Sequence, residues 1–316
     1  MLSADLFSAL CPKLLSLCVG AAAVFQTMYC VESRGFKMAT ASSSQQQRII
    51  EYYPGSTLGN INHGVQRVVL QMFGMLGHGK SSLINSCLCV MNGGGYNNTA
   101  PSGSNFGGMT MERREFELTR KLVMIDNRGF NKLKPTEVLE ARAQFRRLRE
   151  MGKVTWTGIS VKEAYSVYNE EERREPTDLV VPVLVQSCEN KWTENAEIER
   201  LMEDAYSITG IRPIIVITHS SSGNAAEFIQ KLEKLQSTHF IPLENYTEIN
   251  QEPNPETDRK IMEFLQTCIE EAESRIKKMS EEDPSERIVQ QVTKQVNEET
   301  ARLKQARDRL QKVLRK

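Results

Sequence analysis

Two apolar periods alternate along the 316-residue chain. Short, nearly continuous apolar runs, RVVLQMF at 67–73, KLVMID at 121–126, DLVVPVLV at 178–185 and RPIIVITH at 212–219, have the length and β-branched content of buried strands, and HFIPLENYT at 239–247 reads as a strand passing into a loop. EFELT at 115–119 reads as a further short strand. Pro182 inside its run lacks an N–H for a sheet ladder, so it predicts an edge strand or a bulge.

Helical spacing fills the intervals. SSLINSCLCVM places Leu83, Ile84, Cys87 and Leu88 at 3–4 intervals. LKPTEVLEARAQFRRLREMG aligns Val138, Ala141, Phe145 and Leu148, with Gly152 as the expected stop. TENAEIERLMEDAYSITG opens on Thr193 as a cap, aligns Ile198, Leu201, Met202, Ala205 and Ile208, and closes on Gly210. NAAEFIQKLEKLQ and ETDRKIMEFLQTCIEEAESRIKKM complete the set. Strands alternating with helices predict an α/β domain over about residues 48–279, its mostly parallel sheet flanked by helices.

Both ends break the alternation. Leu14 to Val31 carries no charge and is long enough for a signal sequence or a short membrane anchor. MATASSSQQQ from Met38 reads instead as a polar start, so residues 1–47 divide between an alternative start at Met38, a membrane anchor and a cleaved signal. Beyond Pro284, Val289, Val292, Val296, Leu303, Leu310 and Val313 keep a 3–4 spacing, which predicts an amphipathic tail over 280–316. Such a helix either docks on its own domain or forms a coiled coil with a second copy or a protein partner. Lys and Arg accumulating toward its end add attraction to an acidic surface as a third reading.

Composition narrows the class. With 40% apolar and 25% charged residues the chain is an ordinary globular protein, and a formal net charge of zero gives no sign of a nucleic-acid partner. Seven cysteines without paired metal-ligand spacing fit structural thiols in a reducing, cytoplasmic compartment. Cys87 and Cys89 lie two apart on a helix and face different ways, which argues against zinc.

Candidate chemistry begins where the first strand meets the first helix of the domain. Gly74-x-x-x-x-Gly79-Lys80-Ser81 is a phosphate-binding pattern: its glycines let successive N–H groups converge on an anion, at a helix N-terminus that carries partial positive charge. Gly74, Gly77, His78, Gly79, Lys80, Ser81 and Ser82 form this candidate loop. Lys80 is expected to reach the β and γ phosphates and Ser81 to ligate Mg²⁺. Asp126, at the end of a second strand about 45 residues on, is the acid expected to organise the ion, and Gly129 closes an Asp-x-x-Gly motif.

These residues resemble the P-loop GTPases of the TRAFAC class, particularly the septin-like, immunity-associated and interferon-inducible branch. The resemblance covers most of residues 67–276. It implies a guanine nucleotide, GTP or GDP, with Mg²⁺ held by Ser81, Asp126 and a threonine of the glycine-rich 92–110 loop. Thr110 is the candidate, with Thr99 second. The stretch that in the family reads D-T-P-G plus a hydrophobic residue has Asn127 and Arg128 in place of Thr and Pro, and keeps Phe130. The base-recognition strand keeps Thr218 and His219 but puts Ser221 where the family has Asp. Glu244, Asn245 and Tyr246 match the last base-contacting loop. Phe130 stands where small GTPases carry a water-orienting glutamine, which implies slow hydrolysis, or help from another residue or a second copy. The function so implied is a slow GTPase switch. The alternatives are a degenerate nucleotide-binding scaffold working through its C-terminal helix, and an ATP-specific protein on the same core.

Overall fold

The structure, a computed structural model, describes residues 44–59, 63–93, 95–102, 112–149, 151–153, 177–190, 196–222, 225–235, 237 and 239–281. The chain divides into two units, residues 1–51 and 52–316. In the first, residues 44–50 form a helix, α1, in the segment read as a polar start. The charge-free 14–31 stretch, Thr110 and the tail beyond Glu281 fall outside the described residues, among which no helix is long and apolar enough to cross a membrane.

The second unit is an α/β domain. Its strands are β1 (Arg67–Phe73), β2 (Glu112–Glu117), β3 (Leu122–Asp126), β4 (Gly152–Lys153), β5 (Asp178–Ser187), β6 (Ile214–Thr218) and β7 (Phe240–Pro242). Its helices are α2 (Lys80–Asn92), α3 (Pro135–Phe145), α4 (Ala196–Thr209), α5 (Ala225–Leu232) and α6 (Pro255–Glu281). The described strands form one sheet in the order β4-β2-β3-β1-β5-β6-β7. The run from β3 to β7 is parallel, and β2 pairs antiparallel with β3 and β4.

The apolar runs are strands because both of their faces are covered. On β1, Val69 and Phe73 join Val123, Ile125, Val180, Leu184, Ile215 and Ile217 in a core closed by Val138, Ala141 and Phe145 of α3, Ile198, Leu201 and Met202 of α4, and Phe228 and Leu232 of α5. Phe73 and Phe145 meet edge-on, ring centroids 5.2 Å apart. Helices α2 and α6 cover the opposite face, which presents Val68, Leu70 and Met72. Fully burying each such side chain contributes about 1.5–3 kcal/mol, so β1, buried from Val68 to Phe73, anchors whatever its carboxyl end carries.

Two expectations are corrected. Helix α3 ends at Phe145, not near Gly152: Arg147 adopts a left-handed conformation (φ 60°), and Gly152 (φ 120°) begins strand β4. Pro182 sits in β5, between β1 and β6 in the sheet. Pairing with β6 begins only at Val183, so the proline occupies the last position before β5 gains its second neighbour.

Candidate functional site

Strand β1 is flanked by β3 and β5, and the helices that follow those two strands lie on the face opposite α2. The chain therefore diverges at the carboxyl end of β1, the place where open α/β sheets form a crevice. The 74–79 loop sits there. Gly74 (φ 142°) is forced by its surroundings, since an added Cβ would lie 2.4 Å from the Val185 carbonyl oxygen. Gly77 and Gly79 also have positive φ, and Gly79 precedes α2 as its N-cap. The first N–H groups of α2 thus face the loop, with no side-chain cap on Gly79 competing for them.

Within this loop Lys80 is buried, and its Nζ donates to the Met75 carbonyl at 2.8 Å. Burial pulls its ammonium down to about 8, with Asp126 opposing the shift. Ser81 and Ser82, both half-buried, follow on the first turn of α2. The Ser81 hydroxyl donates to Asp126 Oδ2 at 2.7 Å, joining the start of α2 to the end of β3 across 45 residues. A hydroxyl beside a carboxylate is a hard oxygen pair of the kind that Mg²⁺ takes when phosphates and water complete its shell. Among the described residues no group of three or more His, Cys, Asp or Glu gathers that could hold a metal ion.

The segment after β3 is tied to the loop. Phe130 N–H donates to the Gly74 carbonyl at 3.0 Å, and Leu76 N–H donates to the Phe130 carbonyl at 2.9 Å. Asn127 donates to the Met72 carbonyl at 2.9 Å. Gly129 packs so closely that an added Cβ would lie 2.6 Å from Lys80 Nζ and 2.7 Å from the Leu76 nitrogen. The Phe130 side chain is buried in the α3-side core.

The ends of β6 and β7 form the other wall. The Thr218 hydroxyl donates to the His78 carbonyl at 3.1 Å, and Asn245 Nδ2 donates to the Gly79 carbonyl at 3.2 Å. His78 itself is buried, with the Ser187 N–H 3.4 Å from its Nδ1. Burial, then the charge of Lys80, lowers its imidazole to about 4. His219 has φ 59°, and its Nδ1 meets Ser187 Oγ at 2.9 Å and Thr218 Oγ1 at 3.1 Å.

Ser221 stands on a short 3-10 turn after β6, and its N–H donates to the Glu244 carboxylate. A carboxylate therefore lies at the tip of this wall, contributed by the loop after β7. Sequence reasoning placed Glu244 near this region but gave it no relation to Ser221. Tyr246 is buried, its N–H bonded to Ser86 Oγ at 2.8 Å and its hydroxyl to Asp258 at 2.7 Å, so it supports the loop from behind. Thr99 is exposed and bonds Asn97 through its backbone, while its segment is held by Asn85 and Asn98. The structure thus brings together Gly74, Gly77, His78, Gly79, Lys80, Ser81, Ser82, Asp126, Gly129, Thr218, His219 and Asn245, while Thr110 lies outside the described residues.

No family model matches the sequence, and no curated protein matches it. One similar solved structure, a crystal structure of a protein from Thermus thermophilus, is 13% identical with a TM-score of 0.33; the match covers 66% of this chain and 31% of that one. The chain thus spans about a third of that structure's length.

Proposed function

We propose that the chain binds a guanine nucleoside triphosphate with Mg²⁺ and hydrolyses it slowly. The observation that carries the reading is the Ser81–Asp126 hydrogen bond beside a buried Lys80, under a glycine loop that opens a helix. In this reading loop N–H groups and Lys80 hold the β and γ phosphates, and Ser81 and Asp126 orient the ion. The ion, when bound, supplies charge neutralisation between the phosphates. Thr218 and Asn245 fix the base-side wall against the loop, so base and phosphates are gripped in one register.

Guanine over adenine is read by Glu244 in place of the missing acid at 221. Guanine offers N1–H and N2–H donors together, which one carboxylate accepts, whereas adenine offers an acceptor at N1 that a carboxylate repels. A second reading, a nucleotide-holding scaffold without a moving switch, is favoured by Phe130, whose burial and backbone bonds fasten the post-β3 segment to the loop.

Equilibrium binding of labelled GTP, GDP and ATP with Mg²⁺ tests this directly. Lys80→Ala should weaken GTP binding by about tenfold or more, and Glu244→Gln should lower the GTP/ATP preference. Unchanged affinity in folded Lys80→Ala would sink the phosphate-loop reading. An unchanged ratio in Glu244→Gln would remove only the base assignment.

A further inference from the structure

We propose that the sheet face under α3 holds a binding site for one small monovalent anion, a halide such as chloride, at Arg113 of β2; this is independent of the nucleotide reading above. Arg113 is about 1% exposed. Its Nη2 donates to Gln71 Oε1 at 3.0 Å, and Gln71 Nε2 donates in turn to Gln144 Oε1 of α3 at 3.2 Å, so the guanidinium lies between sheet and helix. Gln71 is a neutral acceptor. The Arg113 Nε and Nη1 are buried with no hydrogen-bond partner among the described residues. A buried charge whose donors stay unpaired is strongly destabilising unless something anionic completes it.

The carboxylates around Arg113 are already taken. Asp178 meets Arg67 and Arg147, Glu115 meets Arg67, and Glu140 meets Arg149 and accepts from Gln144 Nε2 at 3.1 Å. Among the described residues the cluster therefore sets the guanidiniums of Arg67, Arg113, Arg147 and Arg149 against the carboxylates of Glu115, Glu140 and Asp178, a surplus of one positive charge. Burial, then the charge of Arg147, pulls the Arg113 guanidinium down to about 10; Glu140 opposes the shift and Arg149 adds to it. The group is still a cation at neutral pH, in surroundings that its neighbours leave positive.

Room stands beside it. Arg113 pairs directly with Gly152 of β4, and directly opposed residues of an antiparallel pair point their side chains to the same face. Gly152 has none, and a Cβ built there meets nothing within 4 Å among the described residues. The gap thus opens on the face that carries Arg113, beside the stem of its side chain, at the end from which Nε is reached. A surplus of one charge in so buried a place fits a singly charged ion. A weakly hydrated halide gives up less on leaving water than a phosphate or sulfate dianion, whose extra oxygens would need further donors. A water molecule would take the same hydrogen bonds but leave the charge uncompensated, and that difference is what the test reads.

The test uses the full-length chain and its Arg113→Gln variant. Melting temperatures are measured in sodium chloride and in sodium gluconate at equal ionic strength, and chloride binding is read directly from ³⁵Cl NMR line broadening with bromide as competitor. At chloride tenfold above its dissociation constant, wild type should melt about 3–6 °C higher than in gluconate. It should also broaden the ³⁵Cl line in a way that bromide reverses. Arg113→Gln should melt alike in both salts and lose the reversible broadening. Equal melting of wild type in the two salts without reversible broadening, as a water-filled site gives, overturns the proposal, and so does Arg113→Gln that keeps the full chloride effect. If Arg113→Gln does not fold, crystals of wild type grown in bromide decide: an anomalous peak within hydrogen-bond distance of Arg113 Nε or Nη1 supports the site, and its absence there overturns it.

Discussion

His78 is buried among the backbone of the 74–79 glycine loop, and burial plus Lys80 holds its imidazole near 4 instead of the ordinary 6.5. Between those two pH values the unfolded chain binds a proton that the folded chain refuses, so stability rises with pH across that window and falls as pH drops through it. For a drop from 6.5 to about 4, at one pKa unit per 1.36 kcal/mol, the effect is on the order of 3 kcal/mol between pH 7 and pH 4. Thermal melts across pH 4–7.5 should therefore show a steep acid-side decline in wild type and a shallower one in His78→Gln; parallel curves would mean that other groups carry the acid sensitivity. At this scale Lys80, Ser81 and Asp126 were legible in the sequence because the spacing of a glycine loop and a strand end fixes what they can reach. The Glu244–Ser221 contact was not, because it spans 23 residues and arises only when β6 and β7 pair in parallel and bring their following loops side by side.

Phe130 shows how an element secures a site. Its backbone bridges to Met75, extending the parallel order of β1 and β3 beyond their ends, and its ring fills the core beside Leu133 and Val138. Truncation to Ala removes a buried ring, at a cost of about 3–5 kcal/mol, and also loosens the segment that presses Gly129 onto Lys80. Phe130→Ala should thus lower the denaturation midpoint and weaken nucleotide binding together, while Val138→Ala, in the same core but off the loop, should lower stability alone. Binding unchanged in Phe130→Ala would separate the core from the site. Strand and helix identities were legible here because apolar runs of strand length and 3–4 spacings differ plainly. The end of α3 was not, since nothing in the run RRLREMG marks Arg147 as the residue that turns left-handed. Burial of Arg113 on β2 was equally hidden. In sequence it lies in a charged run that reads as solvated, but Gln71 accepts from it at 3.0 Å inside the sheet face, where burial pulls its guanidinium down to about 10.

Across the second unit, one carboxylate fastens the two ends of its described residues. Glu273, buried on α6, accepts from the Tyr52 hydroxyl at 2.9 Å, the Gly55 N–H at 2.7 Å, and the Thr57 hydroxyl and N–H at 2.7 and 3.3 Å, more than 200 residues away in sequence. Burial, reinforced by the Glu273 charge, pushes the Tyr52 phenol well above its ordinary range, so the hydroxyl stays a donor at any working pH. A helical apolar period made α6 legible, but a lone glutamate on it reads as a solvated position, and its partners lie in a segment with no periodic pattern. Glu273→Ala strands up to four donors that water must then reach, which should cost roughly 2–4 kcal/mol and lower the melting temperature by about 4–16 °C for a domain of this size. Glu273→Gln retains an acceptor oxygen and should cost less. Hydrogen exchange at the Gly55 and Thr57 amides locates the effect: both should speed up strongly in Glu273→Ala, ahead of amides in β1 and β5, if the carboxylate is what holds residues 52–57 on α6. Protection of those two amides at wild-type levels, with an unchanged melting temperature, would show that apolar packing around Tyr52 and not Glu273 closes the domain at this end.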